Sequence, residues 1–285
     1  MRRKLSALLI IFALLGTSGC GLLIAGGIAG GVALKRRSAR KDALAAMRPH
    51  NDAAESAMRG GKPRAAMGHF QAAQRALFRY TFRWDKRATL GSLAAEYPEI
   101  ARTARGLVRA QEALGDTSGA AAVAAAMLPP SDAKVVLRRL KMVKAGTLQV
   151  RTAPHIYRGM HTAWHGEVAF ARHDPSANVT RLMVVPYRFV RRMSGYRRQR
   201  YYDTTYKIWR DRLVPIYRNY KVSVRHRAFM VELKGYNELI MPGTAATFCG
   251  QLDDNGALSE AVPSKIQRRP GGRTIWYLGV EVPTA

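Results

Sequence analysis

Residues 129–147, PPSDAKVVLRRLKMVKAGT, divide the chain into two kinds of text. Upstream, from Asp42, alanine dominates and apolar side chains return every three or four residues, the period of a helix with one buried face. Downstream of Gly146, β-branched and aromatic runs alternate with short turn segments, the pattern of strands. Pro129-Pro130 stops the helical pattern, Ser131 or Asp132 can cap one last helix reaching about Lys144, and Ala145-Gly146 marks the boundary. The expected fold class is therefore α+β. Residues 1–41 would form an N-terminal membrane anchor with a basic flank, 42–144 an α-helical hairpin domain, and 145–285 a basic antiparallel β sandwich or barrel.

Within 42–144 the periodicity predicts five or six helices. Asn51 is a candidate N-cap, Gly60-Gly61 a stop, and Pro63 the opening of the next helix. The series Ala54, Gly61, Ala66, Phe70, Ala73 resembles a tetratricopeptide hairpin, where small residues let two helices approach and one aromatic fills the gap. Leu107, Gly115, Ala120 and Ala124 form a looser second instance; a non-repeat helical bundle is the competing reading. Gly61 and Gly115 are 54 residues apart, so residues 79–102 would hold an additional helix pair. The resemblance implies a groove for a partner protein.

Strands are expected over 147–152, 166–172, 181–193, 200–210, 212–217, 221–233, 245–252 and 273–282. Turn chemistry separates them at His173-Asp174-Pro175, Ser194-Gly195, Pro242-Gly243, Asp254-Asn255-Gly256 and Pro270-Gly271-Gly272, with Asn255-Gly256 the strongest hairpin signal. The succession Val185-Pro186-Tyr187-Arg188-Phe189-Val190, a strand around Trp209, Leu213-Val214-Pro215-Ile216-Tyr217 and Glu238-Leu239-Ile240-Met241-Pro242-Gly243 leads into Phe248-Cys249-Gly250-Gln251-Leu252. It resembles the membrane-proximal β domain of the mitochondrial ubiquitin ligases called GIDE or MULAN. The cysteine-rich zinc domain of those ligases has no counterpart here. The resemblance thus implies a membrane-associated binding or scaffold domain without ubiquitin chemistry.

The first residues carry no charge from Leu5 to Leu34 and lie between Met1-Arg2-Arg3-Lys4 and the basic cluster 35–41. A basic start, an apolar run and small residues are the parts of a secretory signal. Thr17-Ser18-Gly19-Cys20 resembles the lipobox of bacterial lipoproteins, which implies acylation of the Cys20 thiol and attachment to the cell envelope, facing the periplasm. An uncleaved helix is the alternative, since the run exceeds the ~20 residues a span needs, and its flanking charges would leave the body in the cytoplasm.

A net charge of +28 on 285 residues attracts polyanions: anionic lipid, lipopolysaccharide, acidic wall polymer or nucleic acid. The densest basic run is Arg191, Arg192, Arg197, Arg198 and Arg200, interleaved with Tyr196, Tyr201 and Tyr202, and it would occupy a hairpin tip centred on Ser194-Gly195. Arginine with aromatics suits anionic headgroups, and it also suits single-stranded nucleic acid, which needs the cytoplasmic topology. His155, His161, His165 and His173, with Glu167 and Asp174, are the one ligand-rich cluster, and a metal-dependent hydrolase built on them is the alternative function. Cys249 lies in an apolar run and is expected to be an inert buried thiol. No serine-hydrolase, P-loop or dinucleotide motif occurs. The chain reads as a non-enzymatic scaffold without a cofactor, whose partners are the membrane and another envelope protein bound through the helical hairpins.

Overall fold

A computed structural model describes residues 40–81 and 89–282. Residues 1–39 of the proposed anchor, including Cys20, lie outside them, and the last two residues of its basic flank, Arg40 and Lys41, are helical. No helix among the described residues is long and apolar enough to cross a membrane.

Helix α1 spans 40–59 and α2 Pro63–Thr81. They are joined by a tight stop in which Gly60 and Lys62 donate back to Ser56 and Ala57, while Gly61 takes a φ of 67°. Asn51 does not cap a helix. It lies inside α1, fully buried, where its amide donates to the Glu99 backbone oxygen (3.3 Å) and carboxylate (3.2 Å) and accepts from the Thr103 hydroxyl (2.9 Å). The helix runs through Pro49 because a proline removes one amide, whereas Ala43, Met47 and Ala54 keep the face on either side completely buried.

Helices α3 (Leu90–Glu96), α4 (Pro98–Ala113), α5 (Thr117–Met127) and α6 (Pro130–Arg139) complete the helical half. One short helix, α3, precedes Pro98, so the segment 79–102 does not carry a full extra pair among its described residues. The repeat-like positions Ala54, Ala66, Phe70, Ala73, Leu107, Ala120 and Ala124 are all buried in one core. Gly106 of α4 lies against the Phe70 ring, so the absent Cβ is what lets α4 approach α2. Arg102 of α4 clamps α1 by a two-pronged contact with Glu55 (2.6 and 2.7 Å) and one with Asp52 (2.8 Å), which holds the Glu55 carboxyl below its usual range. Helix α6 begins at Pro130 with no side-chain cap from Ser131 or Asp132, and it ends at Arg139, short of Lys144.

Residues 147–152 were expected as a strand and form a short helix, α7 (Thr147–Thr152), followed by α8 (Pro154–Tyr157). Gln149 accepts from the Gly146 amide (2.8 Å), satisfying a helix-start donor, and this local bond outweighs the β-branched residues. Nine strands follow among the described residues: β1 His161–Asp174, β2 Val179–Val185, β3 Tyr187–Asp203, β4 Ile208–Ser223, β5 Phe229–Lys234, β6 Ala245–Leu252, β7 Leu258–Gln267, β8 Thr274–Tyr277 and β9 Val280–Glu281. Seven make one sheet in the order β5-β2-β1-β6-β7-β8-β9, and it curls until Val231 of β5 pairs with Leu258 of β7 in parallel. Inside the curl lie Trp164, Val168, Leu182, Val184, Val231, Phe248, Leu252 and Leu258. The Trp164 indole N–H is satisfied by the Ala145 carbonyl at 2.8 Å.

The two halves interlock. Tyr277, Leu278, Val280 and Val282, from the end of the β half, pack into the helical core, and the Tyr277 hydroxyl donates to the Ala126 carbonyl at 2.9 Å. The remaining strands, β3 and β4, pair only with each other and form a separate two-stranded sheet.

A candidate interaction surface on the two-stranded arm

Strands β3 and β4 run antiparallel from Tyr187↔Ser223 to Asp203↔Ile208. At ~3.3 Å per residue this arm is roughly 55 Å long. Its root touches the body: the Tyr187 hydroxyl lies 2.7 Å from His165 Nε2, Lys221 donates to Glu167 (2.7 Å), and the Phe189 ring reaches Gly271. The arm holds eleven Lys and Arg against two Asp, the highest density of positive charge in the β half.

Ser194-Gly195 is not its tip. The register slips there by one residue, between Met193↔Tyr217 and Gly195↔Ile216, so the dipeptide is a bulge in mid-strand, with the Ser194 hydroxyl donating to Ile216 O at 3.2 Å. Chain reversal occurs ten residues later, where Asp203 Oδ1 accepts from the amides of Thr205 (3.0 Å) and Tyr206 (3.3 Å) and Lys207 adopts a φ of 52°. The expected strand 200–210 therefore straddles the turn. An Asp followed by threonines, able to close an Asx turn, is the sequence signal for that reversal.

The bulge decides which side chains share a face. Side chains alternate along a strand and directly paired residues point the same way. From the register, one face collects Arg188, Arg192, Arg197, Arg210, Arg212 and Arg218, interspersed with Val190, Tyr201, Ile208, Val214, Ile216 and Tyr220. The other collects Phe189, Met193, Tyr196, Tyr202, Trp209, Leu213 and Tyr217, with Arg191, Arg198 and Arg200 among them. The five arginines singled out from the sequence are thus split, three on the aromatic face and two on the arginine face. The contacts agree: Arg191 lies 4.5 Å from the Tyr217 ring centre and Arg200 5.5 Å from that of Trp209, while Arg212 lies 5.1 Å from Tyr201 on the arginine face.

The patch expected from the sequence left out Arg188, Arg210, Arg212 and Arg218, and it left out Trp209 and Leu213, which were named only for the resemblance of their strands. Along β4 the three arginines all stand at even positions, but so do Ile208, Val214, Ile216, Tyr220 and Val222, so no alternation of charge against apolar residues marks the strand. Along β3 the bulge inverts the parity, so a count in twos from Arg188 or Arg192 places Arg198 and Arg200 on the wrong side.

Asp211 lies 3.7 Å from Arg198, and Asp203 lies 3.4 Å from Arg210. Among the described residues, Arg188, Arg192, Arg197 and Arg218 have no acidic partner, and neither have Arg191, Arg200 and Arg212, which lie against aromatic rings instead. Arg192 and Arg218 are directly opposed across the strands, an arrangement that costs stability unless an anion lies between them. On the aromatic face Leu213 is 69% exposed, Trp209 60%, Tyr196 59% and Met193 52%, an uncovered apolar strip.

The histidines do not converge. His155 sits in α8, and His173 Nδ1 meets the Thr180 hydroxyl at 3.0 Å with its ring against Tyr236. His165 has Thr247 at 3.0 Å on Nδ1 and Tyr187 on Nε2. Desolvation lowers the pKa values of His161 and His165, with Lys265 adding to the effect at His165. Glu167 is paired with Lys221, and Asp174 closes a turn onto Ser176. Among the described residues no three His, Cys, Asp or Glu side chains are grouped so as to hold a metal ion. Cys249 is fully buried in β6, which pushes its thiol up to about 12.

Comparison with family models, with curated proteins and with solved structures found no match to this chain.

Proposed function

We propose that this is a non-enzymatic, membrane-anchored envelope protein whose two-stranded arm lies in an anionic membrane surface. The observation that carries the reading is the composition of the arm: arginines without acidic partners are joined on one face by exposed Ile208 and Tyr220, and the other face sets Arg191 and Arg200 among the uncovered side chains of Met193, Tyr196, Trp209 and Leu213. Exposed apolar side chains beside arginines suit an interfacial segment, in which apolar groups enter the boundary of headgroups and acyl chains while cations meet the phosphates. Arginine suits the phosphate side because its planar fork bonds two oxygens at once. The apolar strip is what favours lipid over nucleic acid, since a strand of phosphates would leave Leu213 and Met193 without a role.

The rest of the chain fits this reading. The resemblance of residues 185–252 to a membrane-proximal domain supports the same reading. Lipidation at Cys20 would hold the body within reach of the surface. The resemblance of the helical sequence to tetratricopeptide hairpins supports a role in binding a second envelope protein, with the arm fixing the orientation of that scaffold.

Flotation with liposomes tests the central claim. A chain starting at residue 40 is expected to float with vesicles containing phosphatidylglycerol, to ignore pure phosphatidylcholine, and to be released largely but not wholly by salt. Equal binding to both vesicles would rule the reading out, and duplex or single-stranded DNA displacing the protein from anionic vesicles would turn it toward nucleic acid. For the anchor, Cys20→Ser is expected to abolish incorporation of a fatty-acid probe and to leave a longer precursor. Equal labelling of wild type and variant, or of neither, would remove the lipoprotein assignment.

A further inference from the structure

A second site lies away from the arm, in the seam between the halves. Helix α6, the segment 141–146 and the start of β1 enclose a cleft of about 1010 Å³. This is at the upper end of the ~300–1,000 Å³ range of small-molecule sites. Its apolar lining includes Ala133 and Leu137 from α6, Met142 and Val143 from the connecting segment, and Met160 beside β1.

Four cations share the lining: Lys134 and Arg138, one turn apart on α6, and Lys141 and Lys144 on the connection. All four are exposed, no acidic residue lines the cleft, and none of the four has an acidic partner among the described residues. The neighbouring arginines are treated differently. Arg139 is paired with Glu112 (2.7 Å), and Arg105 with Asp132 (2.8 Å). The acids of this region thus serve cations outside the cleft, and the cleft is left with positive charge alone.

Several polar groups of the lining are already in use. The amides of Met142 and Val143 donate to Leu137 and His161 (both 2.8 Å), the Thr162 hydroxyl donates to Val143 O (3.0 Å), and Ala145 O accepts from Trp164. An extended peptide would find few backbone partners there, whereas a hydrocarbon chain needs none. We infer that the cleft binds a single-chain anionic amphiphile, its acyl chain on Leu137, Met142, Val143 and Met160 and its phosphate or carboxylate held by Lys134, Arg138, Lys141 and Lys144.

Calorimetric titration of the full chain tests this, using dodecyl phosphate below its micellar concentration, with lauric acid, dodecyl maltoside and inorganic phosphate as comparisons. Dodecyl phosphate and lauric acid are expected to bind at one per chain, the ranking of the two identifying the preferred head. Dodecyl maltoside should bind at least ~10-fold more weakly, and inorganic phosphate should give no saturable signal. The variant with Lys134, Arg138, Lys141 and Lys144 all changed to Ser is expected to lose ~10-fold or more in affinity for dodecyl phosphate, the order of effect for removing charge-assisted partners. These side chains are exposed, so the variant should keep the wild-type thermal midpoint in the absence of ligand. The variant with Arg188, Arg192, Arg197 and Arg218 changed to Ser removes the same charge from the arm and should bind as wild type does. Equal losses in the two variants, a loss in the arm variant alone, or wild-type binding by the cleft variant would overturn the inference. So would inorganic phosphate binding as tightly as dodecyl phosphate, which would leave an anion site without a chain. The arm reading stands or falls separately, on vesicle flotation.

Discussion

Gly106→Val is expected to destabilise the protein by more than about 3 kcal/mol and to cost it most of its helical cooperativity. A Cβ at this position would enter the Phe70 ring from its edge, nearer to three ring carbons than real Cβ contacts come. The ring has nowhere to go. Phe70 is 1% exposed, and Ala66, Ala73 and Leu107 around it are themselves buried. Either α4 must move away from α2 or the ring must leave its rotamer, and overpacking of this kind commonly costs 1–3 kcal/mol, more with a branched side chain. Against a total stability of about 5–15 kcal/mol that is a large fraction. Phe70→Ala should cost a similar ~3–5 kcal/mol for the opposite reason, the cavity it leaves. The pair are neighbours and should not add: Gly106→Ala combined with Phe70→Leu is expected to be milder than the sum of the two separate changes. Urea unfolding followed by far-ultraviolet circular dichroism measures all five variants. A Gly106→Val midpoint within ~1 kcal/mol of wild type would mean that α2 and α4 are not in close contact here.

The contact of Gly106 with Phe70 illustrates what the sequence reveals and what it hides. Phe70 was legible because a lone aromatic among Ala54, Ala66 and Ala73 at helical spacing has one plausible use, to fill the gap those alanines leave. Its partner glycine was not, since Gly106 sits inside a helix and nothing local distinguishes a close approach from a weak helix former. Asn51 was misjudged for the same reason: a side chain that usually caps can instead be buried when Thr103 and Glu99 come from another helix to meet it.

In the β half, turns carried by a local bond were readable. Asp253 accepts from Asn255 and Ala257 (both 2.8 Å) and Gly256 takes a φ of 72°, closing the β6–β7 hairpin expected at Asn255-Gly256, though with a single residue at positive φ. Strand β7 was passed over because Pro263 stands inside it; it is tolerated where the register against β6 already slips. The expected strand 273–282 breaks at Leu278-Gly279, with φ of 53° and 77°, and its second piece crosses into the helical core. That excursion depends on where α2 and α5 lie, which no local pattern encodes. The arm was legible as a basic, aromatic hairpin and illegible as a two-faced one, because one bulge residue decides the facing of eight others.

The two faces make separable predictions. Changing Arg188, Arg192, Arg197 and Arg218 to Ser removes four charges from one face, worth at most ~4 kcal/mol at about 1 kcal/mol per charge near an anionic surface, and about 2–3 kcal/mol if contact is incomplete. The loss should appear at low salt and shrink as the Debye length falls from ~10 Å at 0.1 M to ~3 Å at 1 M. Changing Met193, Trp209 and Leu213 to Ser removes apolar area from the other face and alters no charge. Full burial of such side chains is worth about 1.5–3 kcal/mol each, so partial immersion of three should cost ~2–4 kcal/mol, and salt should hardly change it. Neither set should shift the thermal midpoint much, since the arm meets the body only at its root, through Tyr187, Phe189 and Lys221. Flotation of both variants at 0.1 M and 1 M salt gives four numbers. If the apolar variant binds as wild type does in all conditions, the arm adsorbs by charge alone and no face enters the interface. If both variants lose affinity with the same salt dependence, the division of the arm carries no meaning for binding. The assignment of faces survives only if the salt-sensitive loss follows the arginines and the salt-resistant loss follows Trp209 and its neighbours.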